Sequence, residues 1–192
     1  MQVITDHPVA YDSPDHIFPW GTKRDNTTDH GFINEVEEYF NGEKIKTLDV
    51  GCSGGQLTID FINRGHIAIG IEGSDYSVKH NRANWPQHHN IHLFTCDATK
   101  PYQITDSNEN VEFDLITSWE VIEHIHPDRD WETNTRFHRS STNITNNNIT
   151  RWWRTRRHII RLFRNTNKKS GNRILRIMAA CIQSHLERLV PR

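Results

Sequence analysis

The sequence predicts an α/β fold: an open, doubly wound sheet of parallel strands with helices between them. Three observations predict it. A short apolar strand, Thr47 to Val50, runs into a glycine-rich turn, Gly51-Cys-Ser-Gly-Gly55, and out into a helix over 56–63. A second apolar strand, Ile67 to Ile71, follows closely enough to make a strand–helix–strand unit, whose two strands lie parallel. Two further strand-to-helix steps repeat the pattern up to residue 125, so that all four strands carry polar residues at their carboxyl ends. Open parallel sheets bind their ligands at those ends.

The 192 residues suffice for one domain with a real core. The opening Met-Gln-Val-Ile-Thr-Asp-His-Pro shows no basic-then-apolar leader, and no apolar run approaches the ~20 residues that cross a bilayer. Neither a secreted nor a membrane protein is expected. Cys52, Cys96 and Cys181 are far apart and lack metal spacing, which suits a reducing, cytoplasmic setting. The net charge of −1 conceals an asymmetry. Residues 1–126 carry 20 Asp and Glu against 8 Lys and Arg, whereas residues 127–192 carry 4 against 15. Three segments are expected: an irregular arm over 1–29, an α/β core over 30–126, and a basic, low-complexity or helical tail over 127–192.

In the arm, His7-Pro8, Ser13-Pro14 and Phe18-Pro19-Trp20-Gly21 are turn formers. Asp29 can cap a helix over 30–41, with Phe32, Ile33, Val36, Tyr39 and Phe40 on one face, and Asn41-Gly42 ends it. After the glycine turn and its helix come the second strand and Glu72-Gly73. Ser74 or Asp75 can cap a helix over 76–84, which Trp85-Pro86 should stop. A third strand spans 90–96, a polar loop 100–112, and a fourth strand 113–118. Trp119 to Ile125 begins a helix.

The polar residues at the strand ends suggest the ligand. The turn glycines let backbone approach a nucleotide, and the helix start offers unpaired N–H groups. Glu72 lies 21 residues after Gly51, at the tip of the second strand. A carboxylate there can accept both hydroxyls of a ribose diol, or it can simply be a solvated strand-end Glu. Asp97 can accept from an exocyclic amine while the Ala98 N–H meets a ring nitrogen. Taken alone, Asp97 reads equally as the cap of a turn.

Together the segments Leu48-Asp-Val-Gly-Cys-Ser-Gly-Gly55, Gly70-Ile-Glu-Gly-Ser-Asp75, Cys96-Asp-Ala98 and Phe113-Asp-Leu-Ile-Thr-Ser-Trp-Glu-Val-Ile-Glu-His-Ile125 resemble the class I, Rossmann-like S-adenosylmethionine-dependent methyltransferases. Ser53 stands where a second glycine would complete a dinucleotide-type G-x-G, and Asp49 precedes the turn. Both points favour the methyl donor over NAD. The resemblance implies that Asp49 and the backbone of Gly51, Cys52, Ser53 and Gly54 surround the donor's methionine part. It implies that Glu72, with Gly73, holds the ribose, that Asp97 and Ala98 read adenine, and that Ser118, Trp119 and Glu120 line the pocket beside the methyl group. Trp119 reads also as core. Glu120, Glu123 and His124 share a helix face. Some members with this spelling hold a divalent ion there, but many more pack the His against the sheet, and no metal is expected.

The resemblance stops near residue 126. The family's sheet usually continues to seven strands, yet no Asp or Glu occurs between Thr133 and Leu186, and 142–150 is low in complexity. The C-terminal strands are therefore expected to be missing or degenerate; 168–178 reads as a relic of the turn and fifth strand, and 174–189 fits an amphipathic helix as well. A change of reading frame near 126–132 would explain the break. Alternatively, the basic-aromatic run Arg151-Trp-Trp-Arg-Thr-Arg-Arg157 would make the tail a nucleic-acid binder through phosphate contacts and stacking of Trp152 and Trp153. The expected function is methyl transfer from S-adenosylmethionine to a small-molecule acceptor, with a non-catalytic nucleic-acid-binding protein as the alternative.

Overall fold

A computed structural model describes residues 1–12, 29–119 and 121, together with the backbone of 149–154 and 158–163. Its centre is a six-stranded sheet. The strands are β2 (Lys46–Val50), β3 (Ile67–Glu72), β4 (Leu93–Thr95), β7 (Leu115–Trp119), β8 (Ile149–Arg154) and β9 (His158–Phe163), in the order β4-β3-β2-β7-β9-β8. β2 pairs in parallel with β3 and with β7, and β3 in parallel with β4. This is the parallel four-stranded sheet that the sequence predicts. β2 lies inside it, and four of its five residues are buried, as a strand covered on both faces requires.

One face packs on helices. α1 (His30–Tyr39) begins where the sequence places it: the Asp29 carboxylate accepts from Phe32 N–H and closes the first turn. Its apolar residues recur every three or four positions. Phe32, Ile33, Val36 and Phe40 thus meet Leu57 and Phe61 of α2 (Gln56–Asn63), with Ala68 and Leu115 from the sheet. Burying each of the large side chains contributes ~1.5–3 kcal/mol.

The other face differs from expectation. Leu48, Val50, Ile69, Ile71 and Ile116 pack on Tyr102, Ile104, Val111 and Phe113. The stretch expected to be a polar loop forms a hairpin, β5 (Tyr102–Asp106) and β6 (Glu109–Asn110). Its tip, Ser107-Asn108, has φ of 52° and 68°, the two left-handed residues that a two-residue hairpin turn demands. The N-terminal arm supplies a third strand, β1 (Gln2–Thr5), antiparallel to β5. A small antiparallel sheet thus covers this face.

Three further expectations are corrected. The helix over 76–84 is only α3 (Tyr76–Lys79). Asn81 and Ala83 adopt φ of 50° and 44°, and Arg82 N–H returns to Ser77 C=O at 2.9 Å, so the helix unwinds. Pro86, expected to stop a helix, instead sits in the first turn of α4 (Trp85–His88), where its missing N–H costs nothing. In the tail, β8 and β9 form an antiparallel hairpin on β7 where no strand was expected. The anticipated helix over 174–189 and residues 122–148 lie outside the described residues. Among the described residues, no helix is long and apolar enough to cross a membrane.

Candidate functional site

Asp49, Glu72 and Asp97 stand at the carboxyl ends of the three adjacent parallel strands β2, β3 and β4. The β3 and β4 ends are tied directly, because Cys96 N–H donates to Glu72 C=O at 2.9 Å. Between β2 and α2 the chain makes the glycine turn. Gly51 N–H and Cys52 N–H both donate to Ile71 C=O, at 2.8 and 3.1 Å, which fastens the turn to β3. Gly51 has a φ of 76° and Gly55 one of 85°, values that favour glycine. Gly70 serves differently: a Cβ on it would stand 2.7 Å from Cys52 Sγ and from Thr58 Oγ1, so its bare backbone lets the turn and α2 lie close on β3.

Glu72 is half-buried and already oriented. Its Oε2 accepts from Ser53 N–H at 2.8 Å and its Oε1 from Ser74 N–H at 3.1 Å. A carboxylate oxygen has two lone pairs and can accept from more than one donor, the hydroxyls of a diol among them. Asp49 is buried on the α2 side of β2, where Thr117 Oγ1 donates to its Oδ1 at 2.8 Å. Burial pushes its carboxyl from the ordinary 3.8 up to about 7, and nearby Glu72 adds to the rise against the opposing Thr117 bond. A buried carboxylate of this kind favours a cationic neighbour.

Asp97 is buried, and its Oδ1 accepts from Thr99 N–H at 2.9 Å and Thr99 Oγ1 at 2.6 Å, closing a tight turn. The turn-capping role weighed from the sequence is therefore present. Beside it lies the N-terminal arm. Asp97 N–H donates to His7 C=O at 2.9 Å, and Ala10 N–H donates to Gly73 C=O at 2.8 Å. Residues 7–10 thus run across the ends of β3 and β4, next to Gly73 and Ala98.

The remaining predicted residues divide. The Cys52 side chain is buried with Trp85 and Leu93, and burial, reinforced by Glu72 and Asp49, pushes its thiol well up, so it is a packing residue with only backbone to offer. Burial likewise pushes Cys96 up to about 12. Ser118 is buried at the end of β7, opposite Val50. Trp119 packs edge-to-face on Phe32, ring centroids 5.3 Å apart, which realises its alternative as a core residue. Glu120, Glu123 and His124 lie outside the described residues, as do the other residues of the expected helix after β7 apart from Val121. Among the described residues, no cluster of three metal-ligating side chains occurs.

Three participants escape the sequence reading. Thr117 sits inside a quoted motif, and its register opposite Asp49 was the available signal. Asn84 and Trp85 contact the glycine turn from 30 or so residues downstream, which no local pattern shows. Trp85 is the large aromatic of a polar stretch, and that was the hint.

A parallel sheet with a glycine turn at the end of one strand and an acidic residue at the tip of the next defines a nucleotide-binding α/β domain. A family profile described as a methyltransferase domain matches residues 47–141, and that segment belongs to the class I, Rossmann-like S-adenosylmethionine-dependent methyltransferases. Among curated proteins, the ubiquinone biosynthesis O-methyltransferase of Glaesserella parasuis is 33% identical over 98 residues, covering 49% of this chain and 39% of that protein. The one from Azoarcus sp. is 31% identical over 85 residues, 42% of this chain and 33% of that protein. The chain therefore spans well under half the length of these relatives. No solved structure matches it.

Proposed function

We propose that this chain binds S-adenosylmethionine at the carboxyl ends of β2, β3 and β4 and directs its methyl group to a small-molecule acceptor. The supporting observation is Glu72, held by Ser53 N–H and Ser74 N–H at the tip of β3 beside the glycine turn. The residues fit the donor. A carboxylate such as Glu72 can accept from both hydroxyls of a ribose diol, and Asp49 offers a buried carboxylate that a positive charge would stabilise in its ionised form. Asp97 and Ala98 stand where an adenine edge would be read. When bound, S-adenosylmethionine supplies a methyl group activated by its sulfonium. The chain then aligns it and excludes water, which is where most of the rate of a direct displacement can arise.

The relatives act as O-methyltransferases by name, so small hydroxyl compounds are the first acceptors to try. We take the acceptor-choosing residues to lie in the arm, 1–29, and in the tail, 127–192. We place the protein in the cytoplasm, since Cys52 and Cys96 are buried thiols and not halves of a disulfide. We assign the break in composition after the core to a change of reading frame near 126–132; the family match itself runs through this window to residue 141. Translating the other two frames of the gene tests this: a glycine-turn, strand and hairpin continuation in one of them supports it, and its absence from both refutes it.

Isothermal titration with S-adenosylhomocysteine tests donor binding. Wild-type protein should bind, and Glu72→Ala should lose at least ~100-fold in affinity, as expected for about 3 kcal/mol of charge-assisted hydrogen bonds. Equal affinities would refute the ribose role.

A further inference from the structure

We propose that Trp85 is a positioning residue for the donor, acting through Ser53 on Glu72; the inference rests on the donor-binding reading above. Trp85 is fully buried, against Cys52 and Leu93, and its ring carries one polar atom. That atom, Nε1–H, donates to Ser53 C=O at 2.7 Å. An indole N–H can only donate, and burying it unpaired is costly, so the ring and the carbonyl fix each other.

Ser53 needs such fixing. Its φ is 49°, a left-handed conformation that strains a serine and persists only where surroundings hold it. The surroundings hold both ends of the residue. Ser53 N–H goes to Glu72 Oε2 at 2.8 Å, and Ser53 C=O takes the Trp85 N–H. One residue thus links the buried indole to the carboxylate assigned to the ribose. Loss of the Trp85 bond would free the Ser53 carbonyl to rotate and would slacken the N–H that aims Glu72.

Asn84 completes the clamp. Its backbone N–H donates to Gly54 C=O at 3.2 Å, and its Nδ2 donates to Gln56 Oε1 at 3.0 Å. Two successive carbonyls of the turn, those of Ser53 and Gly54, are therefore both pinned from the Asn84–Trp85 side. Neither can swing toward the ligand. Among the turn's N–H groups, those of Gly51, Cys52, Ser53 and Gly55 have protein acceptors. The clamp reaches the turn from α4, so the first turn of that short helix has a job beyond packing.

The test is a double-mutant cycle on the full chain, with Trp85→Phe and Glu72→Gln, read by titration with S-adenosylhomocysteine. Phenylalanine keeps an aromatic ring and removes the N–H. Positioning predicts that Trp85→Phe weakens binding about 10-fold in the wild-type background and less than threefold with Glu72→Gln already present. A lowered melting temperature with unchanged affinity overturns the inference, and so does an equal loss in both backgrounds. If Trp85→Phe does not fold, the wild-type protein carries the test. Its Trp85 indole N–H resonance should shift on saturation with S-adenosylhomocysteine, and an unmoved resonance overturns the inference. Failure of the wild type to bind at all is a different result, and it removes the donor reading itself.

Discussion

Asp49 shows how one buried carboxyl couples folding to binding. Its folded value of about 7 exceeds the ordinary 3.8, so the folded chain holds this proton more tightly than the unfolded chain. The stabilisation it contributes is complete below pH ~4 and is lost as pH rises toward 7. A cationic ligand reverses the preference, because it favours the ionised carboxylate. Affinity for S-adenosylhomocysteine, whose amino group is positive, should therefore rise as pH goes from 6 to 8, by up to ~10-fold, with proton release. Asp49→Asn should flatten that profile, and titrations at both pH values check it. Ser53 makes a second prediction at this scale. Ser53→Gly relieves the left-handed strain and should raise stability by roughly 0.5–1 kcal/mol in thermal melts. Glu72 was legible from its distance to Gly51 alone. Its two N–H partners were not, because Ser53 reaches it only after the chain has folded back.

The elements that chemistry dictates locally were the legible ones. α2 spans Gln56–Asn63, matching the range expected from its apolar spacing, and the Asp29 cap of α1 is in place. Asp29→Ala should cost about 1 kcal/mol, measurable by denaturant unfolding. Elements whose stability comes from partners were not legible. β5 has only a short alternation, Tyr102, Ile104, and its neighbours read as polar loop. It becomes a strand because β1 arrives from the far end of the chain, with Val3 opposite Ile104. Pro86 was misjudged for another reason: proline stops a helix from inside but starts one at its first turn, and the sequence around Trp85 does not say which end is meant.

Over the whole molecule, the parallel order β4-β3-β2-β7 places the glycine turn and the three strand-end carboxylates on one side of the sheet. The core that fixes this arrangement has two layers, and Phe61 is central to one of them, buried and edge-to-face with Phe32 at 6.5 Å. Phe61→Ala should cost ~3–5 kcal/mol, which a chemical melt would register as a marked fall in midpoint. The placement of Asp49, Glu72 and Asp97 at adjacent strand ends followed from the sequence because the carboxyl ends of parallel strands are set by order alone. The cover of the second face did not follow, since it joins residues 1–5 to 102–106. The most direct measurement is a crystal structure of the full chain with S-adenosylhomocysteine. The ribose hydroxyls should lie within hydrogen-bond distance of Glu72, the homocysteine along the glycine turn, and the adenine beside Asp97 and Ala98. Ligand bound elsewhere on the chain, with no ribose hydroxyl on Glu72, would contradict the donor reading.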